Sequence, residues 1–310
     1  MNWTSIGSYK LPSGARDGWS SSHAQLPTVL CLDDSSVRVF FATRSVKQVS
    51  SIGFVDLFFD GCDSFKVVSV SKSPVLKAGE PGCFDEHGVF PSCIIPFRGK
   101  YYLYYVGWNR GFESPLFYAS IGLAISDDGL NFQRHSAAPL LSRSEHDPCL
   151  ITSPTINLIS DDRWVMHYTS GVRWSRKSDG TLQSHYHVKS AQSNSPFDWI
   201  REGSVAIDFN HGETNIARPS VIQWDKASYG MWFSFVHSQL GKYRMGYAES
   251  QDAHSWTRRD ASAGIDVGVD LAYDMICYPC VFRLKGNVYM LYNGDNFGAE
   301  GFGLARLDSN

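Results

Sequence analysis

Acidic, basic and aromatic side chains gather just ahead of five prolines in this chain, and that placement is the first sign of chemistry. Glu86 and Asp274 each stand five residues before a proline, Pro91 and Pro279. Asp85, Glu213 and Asp295 are further acids near such positions. Two carboxyl groups facing one ligand, one protonated and one ionised, are able to act as general acid and general base on it. Equal offsets in different parts of the chain would let Glu86 and Asp274 face one ligand. That pair is expected to share acid and base duties, with Asp85 and Glu213 as the next candidates.

The neighbours of these acids read as a saccharide-binding set. His23, His87, Ser153, Arg218 and Tyr278 lie just before the same prolines, and Arg44, Trp108, Asn109, His237, Asn293 and Asp295 come after the strands that follow them. An arginine fork suits a carboxylate or phosphate because it donates two parallel hydrogen bonds, so Arg44 and Arg218 are expected beside an acidic sugar or a sugar phosphate. Trp108, Trp174 and Phe112 could lay an aromatic face on a sugar ring. His23, His87 and His237 are the candidates for a divalent metal, with Glu86 or Asp85 completing the set. Cys277 and Cys280 form a lone Cys-x-x-Cys, expected to be buried thiols, and Asp127, Asp128 and Asp252 are expected to serve turn geometry.

A repeated unit must position these residues. Pro27, Pro91, Pro154, Pro219 and Pro279 are spaced by 64, 63, 65 and 60 residues, and each opens a short apolar strand. A second, aromatic strand follows at 37–41, 101–106, 164–168, 229–235 and 288–292. A third carries small residues, as in Ile121-Gly122-Leu123-Ala124, and a fourth is expected to open on Phe65, Phe132, Trp199 or Trp256. Four antiparallel strands per unit predict a propeller blade, hence an all-β, five-bladed β-propeller forming a single domain over residues 1–310. The fifth unit ends without an aromatic fourth strand, while Asn2-Trp3-Thr4-Ser5-Ile6 looks like Ser255-Trp256-Thr257-Arg258. Residues near 3 to 10 are therefore expected to pair with the last blade and close the ring, leaving no open sheet edge there. Residues 107–119 and 171–186 read as insertions that decorate the disc.

The phrases Gly88-Val89-Phe90-Pro91-Ser92, residues 121–129, Thr152-Ser153-Pro154, Ile216-Ala217-Arg218-Pro219-Ser220 and Tyr289-Met290-Leu291-Tyr292-Asn293-Gly294 together resemble the five-bladed propellers of the β-fructosidase and arabinanase superfamily, which includes glycoside hydrolase families 43, 32, 68 and 130. The resemblance covers essentially the whole chain and implies a carbohydrate-active protein. Family 43 members place a base in the first blade, a modulating Asp in the second and a Glu general acid in the third. This chain has His23-Ala24-Gln25-Leu26-Pro27 at the first of these positions and Ser153 at the third, and so departs from that pattern. The expected function is a glycoside hydrolase acting on a glycosyl bond of a small, acidic or nucleotide-linked sugar in glycan metabolism or polysaccharide biosynthesis. Phosphorolysis, as in the family 130 phosphorylases, and non-catalytic sugar binding are the alternatives.

Composition narrows the partners. A net charge of -3 and a pI near 6.4, without a Lys/Arg block, leave no electrostatic footprint for a nucleic acid polymer or an anionic membrane. No run approaches the roughly 18 apolar residues of a membrane span, and the N-terminus lacks a basic start followed by an apolar stretch, so a cytoplasmic protein is expected. Seven scattered cysteines do not make a secreted disulfide framework. The partner expected is a small-molecule sugar or sugar nucleotide.

Overall fold

A computed structural model describes residues 1–11, 18–267 and 273–308. Among them the chain is all-β, apart from single helical turns at Asp260–Ser262 and Asp295–Gly298. Strand β1 (Trp3–Lys10) precedes five groups of strands. The first group is β2 (Ser22–Cys31), β3 (Ser36–Arg44), β4 (Ser50–Phe59) and β5 (Phe65–Val70). The second is β6 (Val89–Phe97), β7 (Lys100–Arg110), β8 (Phe117–Ser126) and β9 (Gln133–Arg134). Then come β10 (Leu150–Ser160), β11 (Arg163–Arg176), β12 (Leu182–Ser193) and β13 (Val205–Ile207), followed by β14 (Glu213–Asp225), β15 (Ser228–His237), β16 (Tyr243–Ser250) and β17 (Thr257–Arg258). The last group is β18 (Cys277–Leu284), β19 (Asn287–Asn293) and β20 (Gly301–Leu307).

Within each group successive strands pair antiparallel. Hydrogen bonding joins the third and fourth groups into one eight-stranded sheet, but only through a single parallel pairing of Tyr186 with Asn215 among the described residues. Strand β1 pairs antiparallel with β20 from Trp3 opposite Leu307 to Lys10 opposite Gly301, with a register shift between Ser5 and Gly7.

The small residues of the third strands have a packing cause. Gly122, Gly246 and Gly303 stand directly opposite Tyr105, Phe233 and Tyr292 on the neighbouring strand. A Cβ at any of the three would come within 2.3 Å of that aromatic ring. Glycine leaves room for the ring to lie across the strand. The aromatic second strand and the small third strand are therefore one packing device.

The apolar clusters each bridge two consecutive groups. Phe40 and Ile52 pack with Val89 and Leu103; Tyr104 and Leu123 with Trp164 and Met166; Val188 and Ile207 with Ile216 and Phe233; Trp232 and Tyr247 with Val281 and Met290. The remaining large cluster joins the last group to the first, with Leu291, Phe302 and Leu304 against Val37, Val39 and Phe41.

Two sequence expectations need correction. Trp199 opens no strand: Ile200 makes an isolated bridge to Gln192, and β13 pairs with β12 instead. Trp199 packs edge-on against Tyr104, and its indole N–H donates to the Pro196 carbonyl at 3.3 Å. The supposed insertions at 107–119 and 171–186 are largely the extended tips of the β7–β8 and β11–β12 hairpins, clasped by Arg176 and Glu113 at 2.9 Å. Among the described residues no helix is long and apolar enough to cross a membrane.

Candidate functional site

Each of the five prolines sits in a register shift of its strand pair. In four of the five, the residue just before the proline has left-handed backbone: Leu26 (φ 56), Ser153 (φ 50), Arg218 (φ 54) and Tyr278 (φ 59). A bulge bends its strand and re-aims the side chains beside it, and it leaves backbone groups off the ladder. Side chains from second strands catch those groups. The Leu26 N–H donates to Asn293 Oδ1 at 2.8 Å, Arg218 N–H to Thr169 Oγ1 at 3.3 Å and Tyr278 N–H to Ser234 Oγ at 2.7 Å.

The bulges converge on one cavity of about 480 Å³, to which every group of strands contributes: Gln25 and Leu26, then Phe90, then Thr152 and Ser153, then Ala217, then Tyr278. Trp108 and Phe117 give it aromatic walls, with the Trp108 ring stacked on Phe90. Tyr186 and Tyr243 add two hydroxyl-bearing walls, hydrogen-bonded to each other. Arg44 and Arg110 are its cations, and no Asp or Glu lies among the described residues that line it. Burial pushes the Tyr186, Tyr243 and Tyr278 phenols above their ordinary range, so all three are neutral hydroxyl groups.

Of the residues singled out from sequence, Arg44, Trp108, Ser153 and Tyr278 line this cavity. The four proposed acids do not, and each has another partner. Glu86 accepts from the Gly82 N–H at 2.7 Å and from Asn109 Nδ2 at 2.9 Å, and these bonds hold its carboxyl below the usual range. Asp274 is four-fifths exposed and paired with Lys242 at 2.9 Å, which lowers its pKa. Asp85 is buried against Arg134 and accepts from the Tyr105 hydroxyl. Glu213 takes both prongs of the Arg258 fork, at 2.8 and 2.9 Å.

Other candidates also hold structure rather than face the cavity. Arg218 is buried and spans the molecule, donating to Ser92 O and Oγ, Pro27 O and Thr28 Oγ1. Asn293 is fully buried and donates to the Ala24 and Gly301 carbonyls. Asp295 accepts the Asp274 N–H, and Asn109 ties Glu86 to the Cys83 carbonyl. His237 accepts from the Gln239 N–H at 3.3 Å, and Cys277 is a buried free thiol.

The three histidines do not form a metal set: among the described residues no three His, Cys, Asp or Glu side chains come together to hold an ion. His87 packs on Trp108. His23 has its pKa lowered to about 4, first by burial and then by the Arg44 charge beside it, a field that repels a cation.

Sequence reasoning missed Tyr186, Tyr243 and Arg110. Tyr186 and Arg110 fall in stretches read as insertions, and Tyr243 opens a third strand, where only small residues drew notice. Hydroxyl-bearing aromatics at the same end of β12 and β16 were the available signal.

Comparison with known proteins agrees with this architecture. The model of the glycosyl hydrolases family 32 N-terminal domain matches residues 91–292. An uncharacterized protein of Mycobacterium tuberculosis (strain ATCC 25618 / H37Rv) is 36% identical over 313 residues, covering 100% of both chains. A beta-1,2-mannobiose phosphorylase of Thermoanaerobacter sp. (strain X514) is 28% identical over 113 residues, 34% of this chain and 37% of that protein. Among solved structures, a glycoside hydrolase has a TM-score of 0.70 at 18% identity, covering 99% of this chain and 93% of its own. A thermostable family-43 glycoside hydrolase has a TM-score of 0.68 at 15% identity, covering 97% and 93%. At such identities these structures speak for the fold alone.

Proposed function

This chain belongs to the glycosyl hydrolases family 32 N-terminal domain family, and on that premise we propose that its cavity holds a small saccharide and that the protein acts on a glycosyl bond there. In this reading residues 1–310 are one domain, a five-bladed propeller whose ring is closed by β1 on β20. The five proline bulges and the apolar clusters that link consecutive groups, last to first, support it.

The observation that carries the functional reading is the convergence of all five bulges on one cavity with aromatic walls and neutral hydrogen-bonding groups. Such a mixture suits a saccharide, whose ring faces are apolar and whose hydroxyl groups need partners. No Asp or Glu lines the cavity among the described residues, so for Glu86 and Asp274 to serve as acid and base there each would have to leave its present partner and turn toward the substrate. Isothermal titration calorimetry with a panel of mono- and disaccharides tests the binding. A ligand is expected whose affinity falls at least about tenfold in Trp108→Ala, since an aromatic wall contributes more than 1 kcal/mol. If no saccharide binds, or if Trp108→Ala leaves affinity unchanged, the cavity is not the sugar site.

Phosphorolysis is the second reading, and a cavity lined by two arginines and, among the described residues, by no carboxylate favours it. Phosphate as nucleophile removes the need for a carboxylate base, and two mannoside phosphorylases of Thermoanaerobacter sp. are similar to part of this chain. Turnover that requires inorganic phosphate selects this reading. Turnover in water that Glu86→Gln abolishes selects hydrolysis, and binding without turnover selects a sugar-binding propeller.

A further inference from the structure

We infer that Arg44 anchors an oxyanion subsite in the cavity, so that the saccharide held there carries a carboxylate or a phosphate. The inference rests on the reading of the cavity as a saccharide site and names the substrate class. Its starting point is how the other shielded arginines are matched. Arg38 pairs with Asp56, Arg134 with Asp85, Arg201 with Asp147, Arg258 with Glu213 and Asp260, and Arg306 with Asp63. Fully buried Arg218 has no ion pair among the described residues, but four oxygens from two strands surround its guanidinium.

Arg44 has neither arrangement. It is half-buried on the cavity wall, and among the described residues its guanidinium makes one hydrogen bond, from Nη2 to Gln25 Oε1 at 3.0 Å, and no ion pair. A guanidinium carries five N–H donors in a planar fork, so most of its donors are left for a ligand. Removing a charge from water without a counter-charge is costly. Arg44 bears that cost in a cavity where no acid among the described residues offsets it.

The surroundings fit the same occupant. Arg110 stands on the cavity wall and has no ion pair among the described residues. Tyr278 also faces the cavity, with its phenol kept protonated by burial and so able to donate. His23 stays neutral and adds no second charge at ordinary pH. A carboxylate or phosphate on the Arg44 fork would make two parallel charge-assisted hydrogen bonds while the sugar ring rests on the aromatic wall.

The test is calorimetry on the full chain with matched sets: glucose, mannose and galactose, their uronic acids, their 1- and 6-phosphates, and inorganic phosphate alone. In at least one set the charged member is expected to bind roughly tenfold or more tightly than its neutral parent, the gain of a charge-assisted fork. That difference should vanish in Arg44→Gln, survive in part in Arg44→Lys, and shrink with added NaCl in the unmodified protein. The salt arm keeps the test valid if Arg44→Gln fails to fold. Binding of inorganic phosphate that Arg44→Gln removes also supports the subsite and assigns it to free phosphate. Neutral and charged sugars of equal affinity overturn the oxyanion subsite and leave the saccharide site standing. Failure of every probe overturns both.

Discussion

Arg218 illustrates how little a residue's position in a repeat says about its role. It occupies the same bulge site as Ser153 and Tyr278, yet its length carries the guanidinium past the cavity to carbonyl and hydroxyl oxygens of β2 and β6. Arg218→Ala leaves those oxygens unpaired around a new void, so a loss of roughly 3 kcal/mol or more is expected in urea denaturation.

His167 makes a second prediction at this scale. Complete burial holds its pKa down to about 4, and its Nε2 meets the Ala253 carbonyl at 3.0 Å. In the unfolded chain the imidazole takes a proton near its ordinary 6.5. Between those values the unfolded state binds more protons than the folded one. Stability should therefore fall as pH drops from about 6.5 to about 4, by on the order of 3 kcal/mol, and stay level above that window as far as this group is concerned. Denaturation at about pH 7.5 and about pH 4.5 checks it: His167→Gln is expected to show the smaller loss.

At the scale of elements, the bulge is the unit that matters. A left-handed residue ahead of a proline lifts a strand off its ladder, and the glycine opposite the second-strand ring lets that ring lie across the third strand. Ser153 is well suited to such backbone because its side chain is short. Ser153→Val puts a β-branched residue at φ 50, and the strain should cost about 1 to 2 kcal/mol, read as a lower urea midpoint, whereas Ser153→Gly should cost none of it. The first three strands of each group were legible because proline spacing and aromatic runs write them directly. The fourth strands were harder to read. Phe65 opens β5 and Thr257 follows Trp256 into β17, but Trp199 is a packed loop aromatic, since an isolated Trp buries equally well from either.

For the whole molecule, the decisive contact is the one between the two ends. Strand β1 covers the outer edge of β20, Trp3 packs edge-on against Trp232 and donates its indole N–H to the Ala263 carbonyl, and Tyr9 is buried against Phe41 and Phe302. Deleting residues 1–10 bares that edge and removes two large apolar side chains. A drop of at least about 5 °C in the melting temperature by calorimetry is expected, and an unchanged value would rule out a closing role for the strand.

The sequence by itself determined the repeat, the strand order and the pairing of residues 3–10 with the last strand. These follow from local chemistry: proline removes a ladder donor, glycine makes room for a ring, and both act within a few residues. Only the tertiary structure decided which side chains enter the cavity. Equivalent offsets say where a Cα lies, and the direction of the side chain depends on partners far along the chain. Glu213 meets Arg258 45 residues away, Asp85 meets Arg134 at 49, Asp274 meets Lys242 at 32 and Glu86 meets Asn109 at 23. Each acid met the donor that folding placed beside it, and for the shielded Asp85 and Glu213 that match is obligatory, because a carboxylate kept from water must find its hydrogen bonds within the protein. Arg44, with no acid partner among the described residues, faces the cavity.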